Sequence, residues 1–407
     1  MIQWENTENK LPIKSWCADQ DELTMEQASR LANHPIVCEH VALMPDAHVG
    51  YGMPIGGVIA CKDALIPNAV GVDIGCGMGA VKTNLQAEIF TDKAQLRGIT
   101  NEIKKCVPVG EGHARKEKIA WQGFDDWRSL FTDDNLPQWY SEDRHKLDQC
   151  NLGTLGGGNH FIEIQKSVND GTVWLMLHSG SRNMGQRVAN FYHKKAQEID
   201  SDMSIELPDT HLAFLPAANE FGSAYIRDMN HALCYAMENR RLMMTHIKNV
   251  MFQFFPNIEF LLEVNIHHNY AILEKHGNEE YWIHRKGATS ARLGEMGIIP
   301  GSMGTSSYIV EGLGNELSFT SCSHGAGRRL GRSQANNTLT LEECDAAMGD
   351  VVYDRFGFSK RKNADGKKMH DLSEAPLAYK DIDAVIEAES DLVKPLEKLL
   401  PLAVVKG

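Results

Sequence analysis

Apolar positions along the chain change their period from block to block, and the period predicts the elements. Between Asp21 and Ala32 they recur at helical spacing, with acidic residues early and Pro35 beyond the end. The same spacing predicts helices over residues 92–105, 187–200 and 219–250, the last with a Met- and Leu-rich stripe that suits a buried face. Short apolar runs predict strands at Gly56–Cys61, Ala80–Thr83, Phe161–Ile164, Val173–Leu177 and Glu259–Asn265. Alternation over the third of these puts His160, Ile162 and Ile164 on one face and Phe161 and Glu163 on the other. Asp381–Leu400 reads as a further helix, punctuated by Pro395. Residues 110–149 are polar and irregular despite Trp121, Trp127 and Trp139, which predicts an elaborate surface segment; residues 359–370 read as a basic loop. No repeat, low-complexity tract or clear linker divides the chain, so one α+β domain over residues 1–407 is expected.

Composition narrows the class. Hydrophobic residues make up 43% and charged residues 23% of the 407, ordinary for a soluble globular protein. No run approaches the roughly 18 apolar residues of a membrane span, and the first residues lack the basic-then-apolar plan of a secretory signal. The 9 cysteines are odd in number, scattered and without CxxC spacing. Free thiols in a reducing compartment, the cytoplasm, are expected. A net charge of -13 argues against broad non-specific nucleic-acid binding but not against a local basic groove. Arg115–Lys118, Arg328-Arg329 with Arg332, and Lys360–Lys362 with Lys367-Lys368 are basic clusters that, taken alone, read as solvated surface.

The candidate chemistry centres on Ala69–Gly79, a glycine-rich stretch that holds Asp73 and Cys76 three positions apart. A carboxylate and a thiolate aimed at one spot suggest a metal, and the remaining ligands must come from distant histidines. His160, His178 and His268 each stand at the beginning or end of an expected strand, where a ligand sits on rigid scaffold. Five ligands with a thiolate able to bridge would support a dinuclear centre. Softness alone favours zinc or iron for such a set. His324 differs: flanked by Ser, Gly and Ala and followed by Arg328, it reads as a nucleophile beside a phosphate-binding guanidinium. The small-residue runs between 285 and 328 have backbone amides able to cradle phosphates. Gly153–Gly158 is not followed by Gly-Lys-Ser/Thr and is no P-loop. Asp46 and His48 alternate in what reads as a Pro- and Gly-containing loop.

The runs Met44–Gly57, Ala69–Met78, Gly153–Ile164, Leu177–Arg182, Asn265–Tyr270, Arg285–Arg292, Gly297–Ser307, Ser321–Arg328 and Ala378–Asp383 together resemble the RtcB family of RNA-splicing ligases. The resemblance spans essentially the whole chain and is weakest over 110–150 and 195–255. It implies stacked mixed β-sheets flanked by helices. It also implies a ligase that uses GTP and two Mn(II) ions to join an RNA 3'-phosphate or 2',3'-cyclic phosphate to a 5'-hydroxyl. In that reading Cys76 bridges both metals, Asp73 and His160 complete one site, and His178 and His268 complete the other. His324 takes GMP. Asn159, Glu163, Pro300, Gly301, Ser302, Met303 and Ser307 contact the nucleotide, as do Gly325, Ala326, Gly327 and Arg328. Tyr379 stacks on guanine and Lys406 reaches it. Arg182 and Asp46 resemble residues near the RNA end or the metals. GMP would pass from His324 to the RNA 3'-phosphate and leave when the 5'-hydroxyl attacks; cyclic ends are opened first. An archease-like activator is left open. The chain departs from the family at Asn183, where a glycine is usual. A metal-dependent phosphoesterase acting on cyclic phosphate ends, and a non-catalytic RNA-binding protein, are the competing readings.

Overall fold

Asp21 and Asp92 set two of the helices. Each carboxylate accepts an amide that a first turn leaves open, from Thr24 and Gln95, at 2.9 Å in both cases. The helices run over Glu22–Ala32 and Lys93–Cys106, and two longer ones over Met184–Asp202 and Glu220–Phe254. This computed structural model describes residues 2–4, 9–362 and 368–407. Its architecture is α+β, as expected, and no helix among the described residues is long and apolar enough to cross a membrane. Cys17, Cys61, Cys76, Cys322 and Cys344 are buried free thiols, whereas Cys234 is exposed.

Two sheets among the described residues carry the fold. A mixed six-stranded sheet has the order Ile2–Trp4, Ile13–Ser15, Val37–His48, Ile55–Cys61, Glu279–Lys286, Asn269–His276. An antiparallel seven-stranded sheet has the order Phe260–His267, Gly77–Gln86, Thr172–Ser179, Phe161–Ser167, Val393–Lys406, Ser307–Gly312, Met296–Ile299. The chain crosses from the second sheet to the first at His268. In the second sheet, register lines up Ile266, Met78, His178, Phe161 and Lys406 in one transverse row across five strands. The Met-rich face of the 220–254 helix lies on this sheet: Met243, Met244, Ile247 and Met251 pack with Val81, Ile162, Leu175, Leu177 and Val405. Each such side chain contributes about 1.5–3 kcal/mol on burial, which makes the stripe core.

Four expectations change. Asp381–Leu400 is a short helix, Ile382–Ala388, followed by the strand Val393–Lys406. Pro395 and Pro401 explain it: proline breaks a helix, and in a strand it cannot donate to the ladder, so the register slips at both prolines. Residues 110–149 are not mere surface. They contain the helix Gln122–Arg128 and enter the helix Glu142–Asn151, and Trp127 and Trp139 are buried because Asp228 accepts both indole N–H groups, at 3.0 and 2.8 Å. Asp46 and His48 belong to a strand, Val37–His48. The 359–370 segment includes paired strands, Phe358–Lys362 and Lys368–His370, while Lys367 of the expected basic loop lies outside the described residues.

Candidate active site

Asp73, Cys76, His160, His178 and His268 meet at the end of the seven-stranded sheet, where the chain crosses to the other sheet. They form two groups that share Cys76, one with Asp73 and His160 and one with His178 and His268. Cys76 Sγ lies 3.2 Å from His178 Nε2 and 3.5 Å from His160 Nε2. His178 Nε2 is 3.4 Å from His268 Nε2, and His160 Nε2 is 3.4 Å from Asp73 Oδ2. Two donors bound to one ion at about 2.0–2.3 Å sit roughly 3–3.7 Å from each other, so the spacing suits atoms arranged around an ion. The tautomers suit it too. His160 Nδ1 donates to the Leu155 carbonyl at 2.9 Å and His178 Nδ1 to the Asn159 carbonyl at 3.2 Å, which turns both Nε2 lone pairs inward. His268 Nδ1 is buried with no hydrogen-bond partner among the described residues.

Burial sets the protonation. It holds the imidazoles of His178 and His268 well below their usual range, so both are neutral donors. It pushes the Cys76 thiol well above the usual range, so an ion must displace that proton. Burial would also raise Asp73, but the hydrogen bond and charge of His160 outweigh it and hold the carboxyl down at about 2. The donor set therefore fits metal ions.

Close approaches explain the local sequence. A Cβ on Gly77 would lie 1.9 Å from the Ile266 carbonyl oxygen, and one on Gly180 would lie 2.5 Å from both Asp73 carboxylate oxygens. Two residues of the long helix brace the loops from behind. Asn239 accepts from the Gly153 and Thr154 amides and donates to the Gly180 carbonyl. Arg240, 1% exposed, donates to the Gly75 and Ser179 carbonyls and to Asn265. Asn269 ties the Asp73 carbonyl to the Gly287 amide.

His324 follows the strand Ser321–Ser323, which pairs with Ala288–Ser290. Its ring lies 4.8 Å from that of His268, centroid to centroid. The buried Asp46 accepts its Nδ1–H at 2.6 Å and its backbone amide at 3.2 Å, both through Oδ2. With Nδ1 engaged, Nε2 is the nitrogen free to react. His324 lines a cleft. Asn159, Pro300, Gly301, Ser302, Met303, Gly325, Ala326, Gly327, Arg328, Tyr379 and Lys406 line it too, along with His48, Arg332 and Glu374. Glu163 and Ser307 do not line it; they sit beneath. The Gln165 amide bridges the Glu163 carboxyl (2.6 Å) and Ser307 Oγ (3.1 Å), and Ser307 accepts the Gly301 amide. Burial raises Glu163 to about 8 and lowers the Lys406 ammonium. Glu374 joins the cations of the cleft: it accepts from Arg328 at 3.2 Å, from Arg332 at 2.9 Å and from the Tyr379 hydroxyl, with Lys406 Nζ 3.9 Å away.

The structure thus gathers every candidate residue into one region. Arg182 is beside it, over Gly156 and next to His160, with Nε donating to Thr154 Oγ1 at 3.1 Å. Asn183 has φ 75, in the left-handed region that glycine and asparagine adopt most readily, so the departure at this position keeps the backbone shape. Arg115 is not solvated; it donates to the Cys106, Leu152 and Gly153 carbonyls and holds the glycine-rich turn. Asn239, Arg240 and Glu374 escaped the sequence reading. The adjacent Asn-Arg inside an apolar helical stripe was the available signal for the first two.

A model of the family described as tRNA-splicing ligase RtcB matches residues 27–407. The RNA-splicing ligase RtcB of Escherichia coli is 39% identical, over 98% of each chain. The tRNA-splicing ligases RtcB of Pyrobaculum aerophilum and Thermococcus kodakarensis are 31% and 29% identical; the alignments cover 95% and 100% of this chain and 92% and 98% of theirs.

Proposed function

The chain belongs to the RtcB family, and from that premise we propose that it is an RNA ligase joining 3'-phosphate or 2',3'-cyclic phosphate ends to 5'-hydroxyl ends, with GTP as co-substrate and two Mn(II) ions. One observation carries the reading: the Asp46-paired imidazole of His324 stands between a cleft lined with cations and a five-residue ligand cluster. A phosphoesterase opening cyclic ends has use for the cluster but none for the other two.

His324 Nε2 attacks the α-phosphate of GTP; an N–P bond forms as the bond to pyrophosphate breaks. Asp46 holds the Nδ1 proton and favours the positive imidazole ring that results. Arg328 and Arg332 supply positive charge along the phosphates, Tyr379 stacks on guanine with Lys406 reaching it, and Glu163 backs the cleft from beneath through Gln165 and Ser307. GMP then passes to the RNA 3'-phosphate, and the 5'-hydroxyl displaces it. Asp73, Cys76, His160, His178 and His268 would hold the Mn(II) pair, with Cys76 shared; bound there, the ions neutralise charge on the reacting phosphoryl oxygens. Softness alone favours zinc or iron, a preference that open coordination and metal supply can override.

The test is incubation with α-labelled GTP and Mn(II), then a denaturing gel, for the wild type and His324→Ala. A labelled band present only in the wild type supports the reading. An unlabelled wild type, with and without an archease-like activator, overturns it.

A further inference from the structure

One segment, residues 378–389, touches the nucleophile's neighbourhood from behind at three points. Its far end is Glu389, which follows the helix Ile382–Ala388 and is fully buried. The Glu389 carboxyl accepts the backbone amide of Ser323 (2.9 Å) and shares a hydrogen bond with its hydroxyl (2.5 Å). The next amide, that of His324, goes to Asp46. Two successive N–H groups are thus captured by two carboxyl groups, and these fix the strand end that aims the imidazole.

Lys380 holds the other partner. Its Nζ lies 3.4 Å from the Pro45 carbonyl and 3.3 Å from the Ala47 carbonyl, the two groups that bracket Asp46. It also pairs with Asp19 at 2.8 Å and meets Cys17 Sγ at 3.1 Å. Its own amide donates to the Gly327 carbonyl, three residues beyond His324. Tyr379, immediately before it, lines the cleft. None of these contacts is to a residue of the ligand cluster.

We propose that Glu389 and Lys380 are positioning residues for nucleotidyl transfer to His324: Glu389 fixes the Ser323–His324 backbone, and Lys380 fixes the strand that carries Asp46. The inference rests on the ligase reading above. Burying the Glu389 carboxyl is unfavourable unless it finds defined partners, and its partners, like two of those of the half-buried Lys380, are groups that orient the His324–Asp46 pair. Burial raises Glu389 to about 8, so at neutral pH it offers an acceptor oxygen and a hydroxyl. A glutamine amide presents the same acceptor–donor pair.

The test uses the full chain as wild type, Glu389→Ala, Glu389→Gln and Lys380→Met. Two rates are read: single-turnover labelling with α-labelled GTP and Mn(II), and GTP-independent sealing of an RNA already bearing a 3'-diphosphoguanosine end, where the 5'-hydroxyl expels GMP and His324 has no bond to form. The expected result is labelling slowed roughly tenfold or more in Glu389→Ala and Lys380→Met. GTP half-saturation should stay near the wild-type value, sealing should persist within about twofold, and Glu389→Gln should restore labelling. Normal labelling in Glu389→Ala overturns the proposal. So does parallel loss of labelling and sealing, the mark of a general fold defect, and so does Glu389→Gln behaving like Glu389→Ala. A wild type that neither labels nor seals overturns the ligase reading itself, which these outcomes among variants do not touch.

Discussion

Asp46→Ala removes the acceptor of the 2.6 Å hydrogen bond from His324 Nδ1, in a spot where the carboxylate has no exposed surface. A hydrogen bond to a charged group contributes about 1.5–3 kcal/mol. The contact strengthens as the ring gains positive charge, so most of that energy belongs to the transition state. The expected loss is therefore roughly 10- to 150-fold in the rate of GMP transfer to His324, at 1.36 kcal/mol per factor of ten. Asp46→Asn keeps an acceptor oxygen without the charge, and a loss of about 1 kcal/mol, roughly fivefold, follows. The measurement is a rapid-quench time course with saturating labelled GTP and Mn(II), with bound manganese determined on the same samples. A rate within twofold of wild type in Asp46→Ala would show that the contact does not serve the transfer. Loss of manganese together with activity would assign Asp46 to the metal cluster instead, contrary to the geometry.

Cys76→Ser replaces the shared sulfur, so elemental analysis of the purified variant should find at most about one manganese per chain against two in the wild type; equal loading removes the bridging role. Asn183→Gly should leave the apparent melting temperature nearly unchanged, whereas Asn183→Val forces a β-branched residue to φ 75 and should cost about 1–2 kcal/mol. Buried Glu163 and Glu389 are both raised from 4.5 to about 8, so the folded chain binds protons that the unfolded chain releases. Stability of the metal-free protein is then greatest below about pH 4.5 as far as these groups are concerned. It is lost as pH rises toward 8, by about 1.4 kcal/mol per pH unit for each group. Urea melts from pH 6 to 9 check this, and a Glu389→Gln variant with an unreduced slope contradicts it.

The ligand cluster was legible because strand ends are visible in a sequence: His160, His178 and His268 each punctuate an apolar run, and glycines flank Asp73 and Cys76. Its supports were not. Helical periodicity assigns Asn239 and Arg240 to a face of the 220–254 helix but says nothing of the loops that face meets. The 381–400 stretch misled because Leu, Val, Glu and Lys suit a helix locally, and the preference yielded to a gap between two strands. Pro401, unweighed beside Pro395, was the signal against it. Asp46 read as a loop residue because Pro45 and Gly50 punctuate the run; its partner His324 lies far away in sequence, and no local pattern connects them. Tyr379 and Lys406 entered through family resemblance alone, since an isolated tyrosine or lysine carries no spacing to read.

The strand Val393–Lys406 comes late in the sequence yet lies inside its sheet, between Phe161–Ser167 and Ser307–Gly312. Four strands on one side of it, 260–267, 77–86, 172–179 and 161–167, pair with one another without its help; they or their ends bear Cys76, His160, His178 and His268, and Asp73 stands in the turn that leads into 77–86. On the other side, the strands at 296–299 and 307–312 join the hydrogen-bonded ladder of the described residues through it, and they flank the Pro300–Met303 wall of the cleft. In the ladder of hydrogen bonds this late strand is the link between the half that carries the ligand cluster and the half that walls the cleft.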